Sequence, residues 1–301
     1  MSKVLQRVFV VAFVIVDIVL VGAAIRHVNG TPPSADMPDA SASAEPSATP
    51  SAGTSSAAPS AQVPYDFKAS EAASVAAAND GSIVVGTRGT CAGGEATVMV
   101  STNGGADFSE SPTGLSTTLA VRTTGTKAIT VVGTDTKCDP HQLTSTDGGG
   151  TWTEDDEIDL WYPDAEDTSA VVSPRRSSQP AADCVVTSVS QVTPESARVS
   201  CVDGSLYGSG DEGGTWVKLG RLDNIRVSAF LTPSSGFALA RFSGCAANAF
   251  TTTDGGVTWA PGGCITGEPA QGIAATSNGL TAFVANEAYT STDNGQSWMQ
   301  P

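Results

Sequence analysis

Hydrophobic residues in the segment 65–301 come in short runs separated by Gly, Asn, Asp and Ser. The runs are rich in β-branched and aromatic residues, which favour strands, and the separating residues favour turns. No part of this segment shows an apolar period of 3.6 residues over the length of a helix. The pattern predicts an all-β domain of short strands, and its clearest runs lie at 82–86, 128–132, 185–189, 237–241 and 280–284.

An eight-residue motif, Ser/Thr-x-Asp-x-Gly-x-Thr-Trp, recurs five times in this segment, with first positions 44, 64, 43 and 39 residues apart. The Asp carboxylate can accept N–H groups of its own loop, and Gly supplies a positive φ. The final Trp can cover the apolar face of the next strand. The copies are Ser101, Asn103, Gly105; Ser145, Asp147, Gly149, Trp152; Ser209, Asp211, Gly213, Trp216; Thr252, Asp254, Gly256, Trp259; and Ser291, Asp293, Gly295, Trp298.

A repeat of about 40 residues with several short strands is typical of one propeller blade. The five motifs resemble the Asp-box, or BNR, repeat of the β-propellers found in sialidases, sortilin-type receptors and a photosystem II assembly factor. The resemblance implies that each box joins the third and fourth strands of a blade, on the face opposite the usual active site. We therefore predict a β-propeller of five four-stranded blades, or six if one lacks its box, with structural box residues and largely buried box Trp side chains.

Six cysteines in an exported domain predict three disulfides. Sequence alone leaves the pairing open. The blade phasing that the resemblance implies selects one pairing and places all three bonds on the face opposite the boxes. The predicted pairs are Cys91–Cys138, Cys184–Cys201 and Cys245–Cys264.

The N-terminal 64 residues have a different character. Residues 1–30 contain Lys3 and Arg7 followed by an apolar run interrupted only by Asp17, which predicts a transmembrane signal anchor with the domain outside the cytoplasm. A cleaved signal peptide, and hence a secreted domain, is the alternative. Residues 31–64 are dominated by Ser, Ala, Pro and Thr, which predicts a disordered linker.

Acidic residues shape the choice of partner. A net charge of −16 argues against nucleic acid, because phosphate binding needs a basic face. The long interval between the second and third boxes holds a dense group of carboxylates around two aromatic residues, and we predict that it is a binding loop on the face opposite the boxes. Its residues are Glu154, Asp155, Asp156, Glu157, Asp159, Trp161, Tyr162, Asp164, Glu166 and Asp167.

Catalytic motifs are not evident. The Arg-Ile-Pro motif that usually precedes the first box of sialidases is absent, as is Gly-x-Ser-x-Gly, and two histidines, His27 and His141, cannot build a His-rich metal site. We nominate no catalytic residue, cofactor or metal ligand. The sequence favours a module that binds a protein or glycan of the cell envelope; the alternative is a carbohydrate-active enzyme, a glycoside hydrolase or lyase.

Overall fold

The computed structural model describes residues 68–242 and 244–301, which form an all-β propeller of six blades. The predicted anchor at 1–30, the linker at 31–64 and the expected start of the domain at Tyr65 lie outside the described residues. One turn of 3-10 helix, Ala69–Glu71, precedes the first strand. Within the described part of the chain, no helix is long and apolar enough to span a bilayer.

Each blade is an antiparallel sheet whose strands follow one another in chain order, starting at the propeller axis. Blades 1 to 3 are β1 (Ala73–Ala77), β2 (Ile83–Thr87), β3 (Val98–Ser101), β4 (Ser109–Glu110); β5 (Thr117–Thr123), β6 (Ile129–Thr134), β7 (Pro140–Ser145), β8 (Thr153–Glu154); and β9 (Tyr162–Pro163), β10 (Val171–Val172), β11 (Ser177–Ser178). Blades 4 to 6 are β12 (Val186–Thr193), β13 (Ser196–Cys201), β14 (Ser205–Ser209), β15 (Val217–Arg221); β16 (Ile225–Phe230), β17 (Gly236–Phe242), β18 (Cys245–Thr252), β19 (Ala260–Ile265); and β20 (Ala270–Thr276), β21 (Gly279–Val284), β22 (Glu287–Ser291).

The ring closes through its innermost strands. The contacts run from β1 to β5, β9, β12, β16, β20 and back to β1. Where the last blade meets the first, Asn278 Nδ2 donates to the Asn79 carbonyl oxygen at 3.2 Å, and Ser277 Oγ donates to Asn79 Oδ1 at 3.0 Å. Each blade is built from consecutive strands, so closure rests on packing and side-chain hydrogen bonds.

The second strands show why the chain folds this way. Ile83–Thr87 and Ile129–Thr134 are buried along nearly their whole length, because a blade is covered by a neighbour on both faces. Strands buried on both faces have continuous apolar runs instead of alternation. Each blade interface therefore contains its own apolar cluster, such as Val84, Val98 and Val131 between blades 1 and 2.

The five boxes form the same hydrogen-bonded hairpin, as predicted. In the fourth box, Thr252 Oγ1 donates to Asp254 Oδ1 at 2.8 Å and accepts the Gly256 N–H at 2.9 Å. Thr258 donates its backbone N–H and its hydroxyl to the same carboxylate, at 2.9 and 2.6 Å. Gly256 has φ +95°, which favours glycine. The same pattern recurs at Asp147, Asp211 and Asp293.

The first box keeps this geometry with an amide in place of the carboxylate. Asn103 Oδ1 accepts from Ser101 Oγ at 2.9 Å and from the Asp107 N–H at 3.1 Å. Asn103 Nδ2 donates to Asp107 Oδ2 at 3.0 Å, so the acid has moved to the position where the other boxes have Thr or Ser. An amide at the Asp position is therefore compatible with the hairpin.

The four box tryptophans are partly exposed, but most of each residue is covered by the rest of the protein. Trp152 Nε1 donates to Ser111 Oγ beside β4 at 3.1 Å. Trp259 and Trp298 have buried Nε1 atoms with no hydrogen-bond partner among the described residues. At the Trp259 interface, Gly220 packs directly against the Gly256 carbonyl oxygen, and a Cβ on Gly220 would clash with it. A serine that accepts from the indole, as Ser111 does at Trp152, therefore does not fit at Gly220.

The boxes should make stability sensitive to acid. Hydrogen bonds from Thr151, Thr258 and Ser297 lower the pKa values of Asp147, Asp254 and Asp293 from 3.8 to about 2. Between about pH 4 and 2 the unfolded chain binds more protons than the folded chain, so the free energy of unfolding falls as pH falls through this window.

Thermal unfolding measured from pH 5 to pH 2 checks this expectation. Asp254→Asn should flatten the fall in Tm over this window, because Asn103 shows that an amide fits the hairpin. Asp156→Asn, at an exposed position outside the boxes, controls for the loss of one carboxylate. Parallel curves for all three proteins would mean that the box hydrogen bonds do not couple folding to pH.

Candidate functional site

The loops divide between two faces of the ring. Backbone hydrogen bonds join the boxes to the turns between first and second strands: Gly148 N–H donates to the Lys127 carbonyl at 3.0 Å, and Gly255 N–H to the Ser234 carbonyl at 2.8 Å. We call this end the box face. The loops between second and third strands, and most connections between blades, lie at the other end, which we call the disulfide face.

The three disulfides have the predicted pairing. Cys91–Cys138 joins the β2–β3 loop to the β6–β7 loop of the next blade, with Cα atoms 5.3 Å apart. Cys184–Cys201 and Cys245–Cys264 each fasten strand ends at the disulfide face, with Cα separations of 5.2 and 5.8 Å. Disulfides of this number indicate folding in an oxidising compartment.

The predicted binding loop at 154–167 is not one loop, because part of it is core. Trp161 and Tyr162 are only 3% and 5% exposed. Trp161 packs edge-on against Trp216, with ring centroids 5.9 Å apart, and donates from Nε1 to the Pro194 carbonyl at 2.8 Å. The prediction that these two aromatic side chains contact a ligand is therefore wrong, because both are packed in the core beside blade 3.

Blade 3, which has no box, explains the 64-residue interval between the second and third boxes. Trp216 Nε1 donates to Ser178 Oγ in β11, as Trp152 Nε1 donates to Ser111, so β11 occupies the place of a fourth strand. β10 and β9 then correspond to third and second strands, and β9 takes the axial position. The turn 173–176 stands where a box would be.

Because β9 corresponds to a second strand, it runs in the opposite direction to the axial strands of the other blades. The carboxylates of the predicted loop at 154–167 therefore lie at different places on the ring. Asp159 forms an ion pair with Arg122 at 2.9 Å, near the box-face end of β5. Asp155 accepts from Gln142 and Thr144, and Glu154 contacts His141 Nδ1 at 2.6 Å on the outer strands of blade 2. Asp156 and Glu157 are exposed in the same stretch. Only Asp164, Glu166 and Asp167 lie on the disulfide face.

On the disulfide face these residues meet other acidic loops. Val186 N–H donates to the Thr168 carbonyl and Val202 N–H to the Val185 carbonyl, both at 2.8 Å, so three loops converge beside the Cys184–Cys201 disulfide. Their exposed carboxylates form what we call the acidic patch: Glu166, Asp167, Asp183 and Asp203. Val185, 40% exposed, provides an apolar centre.

The acidic patch is ordered and charged. Asp164 Oδ1 accepts the backbone N–H groups of Glu166 and Asp167, at 2.9 and 3.0 Å, and shapes their turn. The hydroxyl of Ser169 lowers the pKa of Asp167, with help from its backbone N–H and from Gln179. No ion pair in the described part of the chain includes a patch residue, although the positive charges of Arg221 and Lys218 act on Asp203 at the edge of the patch.

Two cavities lie along the axis. One of about 80 Å³, in the disulfide-face half, is lined by all six inner strands and Arg88. The other, about 430 Å³ in the box-face half, includes Leu160, Phe230 and Arg122 in its wall. The two cavities are adjacent, because five residues line both of them: Ser74, Val75, Val189, Ser228 and Ile273.

The walls of the two axial cavities contain no pair of carboxyl groups. Glycoside hydrolysis uses two carboxyl groups about 5–9.5 Å apart across the substrate. The charged residues lining the two axial cavities are Arg88 and Arg122, with no Asp or Glu. Across the described residues, no group of three or more His, Cys, Asp and Glu side chains is placed to hold a metal ion.

Two buried arginines were not nominated from the sequence. Arg88 and Arg226 are 8% and 4% exposed. Burial lowers the pKa of Arg226 to about 9, with a further decrease from the charge of Arg241, while Glu268 acts in the opposite direction. Arg88 follows a strand-forming run, but an arginine at such a position is ordinarily exposed, and only the closed ring shows that it faces the axis.

Comparison with known proteins adds to the description of the fold only. No protein-family model matches the sequence, and no curated protein does. Among solved structures, YCF48 from Cyanidioschyzon merolae is 13% identical, with 71% of this chain and 80% of that chain covered and a TM-score of 0.44.

Two further structures show the same breadth of likeness. A fucose-specific lectin from Aleuria aurantia is 9% identical, with 76% and 94% of the two chains covered and a TM-score of 0.47. A GH74 xyloglucanase from Xanthomonas campestris is 17% identical, with 77% of this chain but 38% of that chain covered and a TM-score of 0.33. These similarities concern architecture.

Proposed function

We propose that the protein is an extracytoplasmic binding module, held at the membrane by its N-terminal segment, that binds a protein or glycan of the cell envelope through its disulfide face. The observation that supports this most is the acidic patch, where exposed carboxylates from three loops surround Val185 beside a buried disulfide. Of the two partner classes, the patch favours a protein with an exposed Lys- or Arg-rich segment, because opposite charges steer and orient association.

Rigidity supports a binding role for this surface. Loops held by a stable scaffold lose little conformational entropy when a partner docks, which leaves more of the contact energy for affinity. At the patch, the turn at 164–167 is fixed by Asp164, and the loop at 181–185 is fixed by the Cys184–Cys201 disulfide. The three disulfides are also consistent with a domain outside the cytoplasm.

Charge reversal tests the patch without disturbing the core. Deleting 155–167 would remove buried β9, whereas Asp167→Lys with Asp183→Lys changes only exposed side chains. The tagged, full-length wild-type chain is expressed in its native envelope and purified through the tag, and it should bring its partner with it. The double variant should bind that partner roughly 10–100-fold more weakly at low ionic strength, and the difference should shrink with added salt.

A matched control comes from the other end of the same segment. Asp156→Lys with Glu157→Lys changes the net charge by the same amount, at exposed positions outside the patch. This variant should bind the partner with nearly the wild-type affinity. Equal losses in both variants would show that overall charge is responsible, and no loss in either would remove the patch from the binding surface.

A further inference from the structure

The disulfide-face cavity contains a buried cation. The Arg88 side chain lines it and is 8% exposed. Within the described residues this side chain makes one hydrogen bond, from Nη2 to the Asp164 carbonyl oxygen at 2.9 Å. A guanidinium has five N–H donors and stays charged, so one carbonyl leaves most of its hydrogen-bonding capacity unused. Burying a charge is costly unless a counter-charge and further hydrogen bonds accompany it.

The surrounding groups compensate that charge only in part. Burial lowers the pKa of Arg88, and the charge of Asp164 acts in the opposite direction. The Asp164 carboxylate is already engaged, since it accepts the Glu166 and Asp167 N–H groups. The other residues lining the cavity are neutral, so no second protein carboxylate in its wall neutralises the guanidinium.

Hydroxyl groups complete the cavity wall. Thr118 Oγ1 is buried with no hydrogen-bond partner among the described residues, although a buried hydroxyl is normally paired. Ser74, Ser188 and Ser228 line the same cavity and form hydrogen bonds between neighbouring inner strands. The cavity therefore combines a cation with spare N–H donors and an unused O–H donor.

We propose that this cavity binds one small anion, of the size class of chloride, bromide or formate, as the counter-ion of Arg88. An anion accepts hydrogen bonds from the Arg88 N–H groups that do not donate to the Asp164 carbonyl, and from the Thr118 hydroxyl, which has no partner among the described residues. A volume of about 80 Å³ admits such an ion and excludes a sugar ring or a peptide. Since Arg88 and Thr118 belong to different blades, the ion fastens the ring at its axis.

Crystals of the folded protein soaked in sodium bromide provide the direct test. An anomalous bromide peak should lie within hydrogen-bond distance of Arg88 and Thr118. In solution, the wild type should unfold at a temperature about 2–4 °C higher in saturating sodium chloride than in sodium gluconate of equal ionic strength, because gluconate is too large for the cavity.

Three variants separate the site from general salt effects. Arg88→Met should abolish both the bromide peak and the chloride-specific shift. Thr118→Val removes an unpaired hydroxyl at nearly constant volume, so it should fold normally and raise the apparent Kd for chloride about 2–10-fold. Arg122→Met, at the exposed ion pair near the box face, should keep the full chloride effect.

Two results would overturn the proposal. One is an axial cavity without bromide in well-ordered soaked crystals. The other is a chloride-specific rise in unfolding temperature that is equally large in the wild type and in Thr118→Val. That result would show that chloride binds at another site, and it can be read even if Arg88→Met does not fold.

Discussion

Trp161→Ala is expected to lower the free energy of unfolding by about 3–5 kcal/mol, the usual range for deleting a buried aromatic side chain. Trp161 is 3% exposed and packs with Val171, Val186 and Val199. The substitution removes its edge-on contact with Trp216 and its hydrogen bond to Pro194. Blade 3 has only two-residue strands, so little else can close the cavity that forms.

Equilibrium urea unfolding measures this loss, and Trp298→Ala is the matched control. Trp298 is half-buried at the last box, and its Nε1 has no hydrogen-bond partner among the described residues. The same chemical change should therefore cost less there. A loss below about 1 kcal/mol for Trp161→Ala would contradict the burial of this side chain and would support the binding loop that the sequence pattern predicted.

Replacing Cys184 and Cys201 with alanine should cost about 3 kcal/mol or more. Closing a chain segment of 17 residues limits the unfolded ensemble, which accounts for about 3 kcal/mol in the chain-entropy model. These two cysteines are also 2% and 0% exposed, in the core cluster that holds Trp161. Their loss therefore removes packing as well as the covalent restraint.

The Cys245–Cys264 pair separates those two contributions. Its sequence separation is 19, nearly the same as 17, but Cys264 is exposed. The corresponding double alanine variant should keep the entropic loss and lack most of the packing loss. If urea unfolding gives equal losses for the two double variants, the burial of Cys184 and Cys201 contributes nothing to stability.

The parts of the fold that were predictable from the sequence depend on local chemistry. A box closes through hydrogen bonds within eight residues, as between Thr252, Asp254 and Thr258, so the motif itself specifies the hairpin. The spacing of the boxes indicates the blades, and the cysteines lie in loops or near strand ends of those blades. The all-β fold and the box hairpins follow from these short-range rules, whereas the disulfide pairing was selected by the blade phasing that the resemblance to the Asp-box family implies.

Blade 3 was not predictable in the same way. It lacks both a box and a first strand, and its strands are two residues long, too short to produce a period. Carboxylates dominate the composition of the segment 154–167, which is typical of an exposed loop, and Trp161 and Tyr162 lie among them. The buried partners of these two residues come from other parts of the chain, so no local signal marks them as core.

The candidate sites depend still more on long-range contacts. The acidic patch draws Asp167, Asp183 and Asp203 from three loops that converge only after blades 3 and 4 have packed. Likewise, Arg88 and Thr118 meet where blade 1 packs against blade 2, and the Thr118 N–H donates to the Arg88 carbonyl oxygen at 2.9 Å. In both cases each residue is unremarkable in sequence, and the site exists because tertiary packing brings the residues together.

Hydrogen–deuterium exchange of the full chain, with and without its recovered partner, tests the binding surface most directly. A partner docked on the disulfide face should slow exchange of the backbone amides at 164–170, 181–185 and 202–204. The box hairpins at 145–152 and 252–259 should be unchanged. Protection confined to the boxes or to the turns beside them, with the three patch loops unaffected, would contradict the proposal that this propeller binds its partner through the disulfide face.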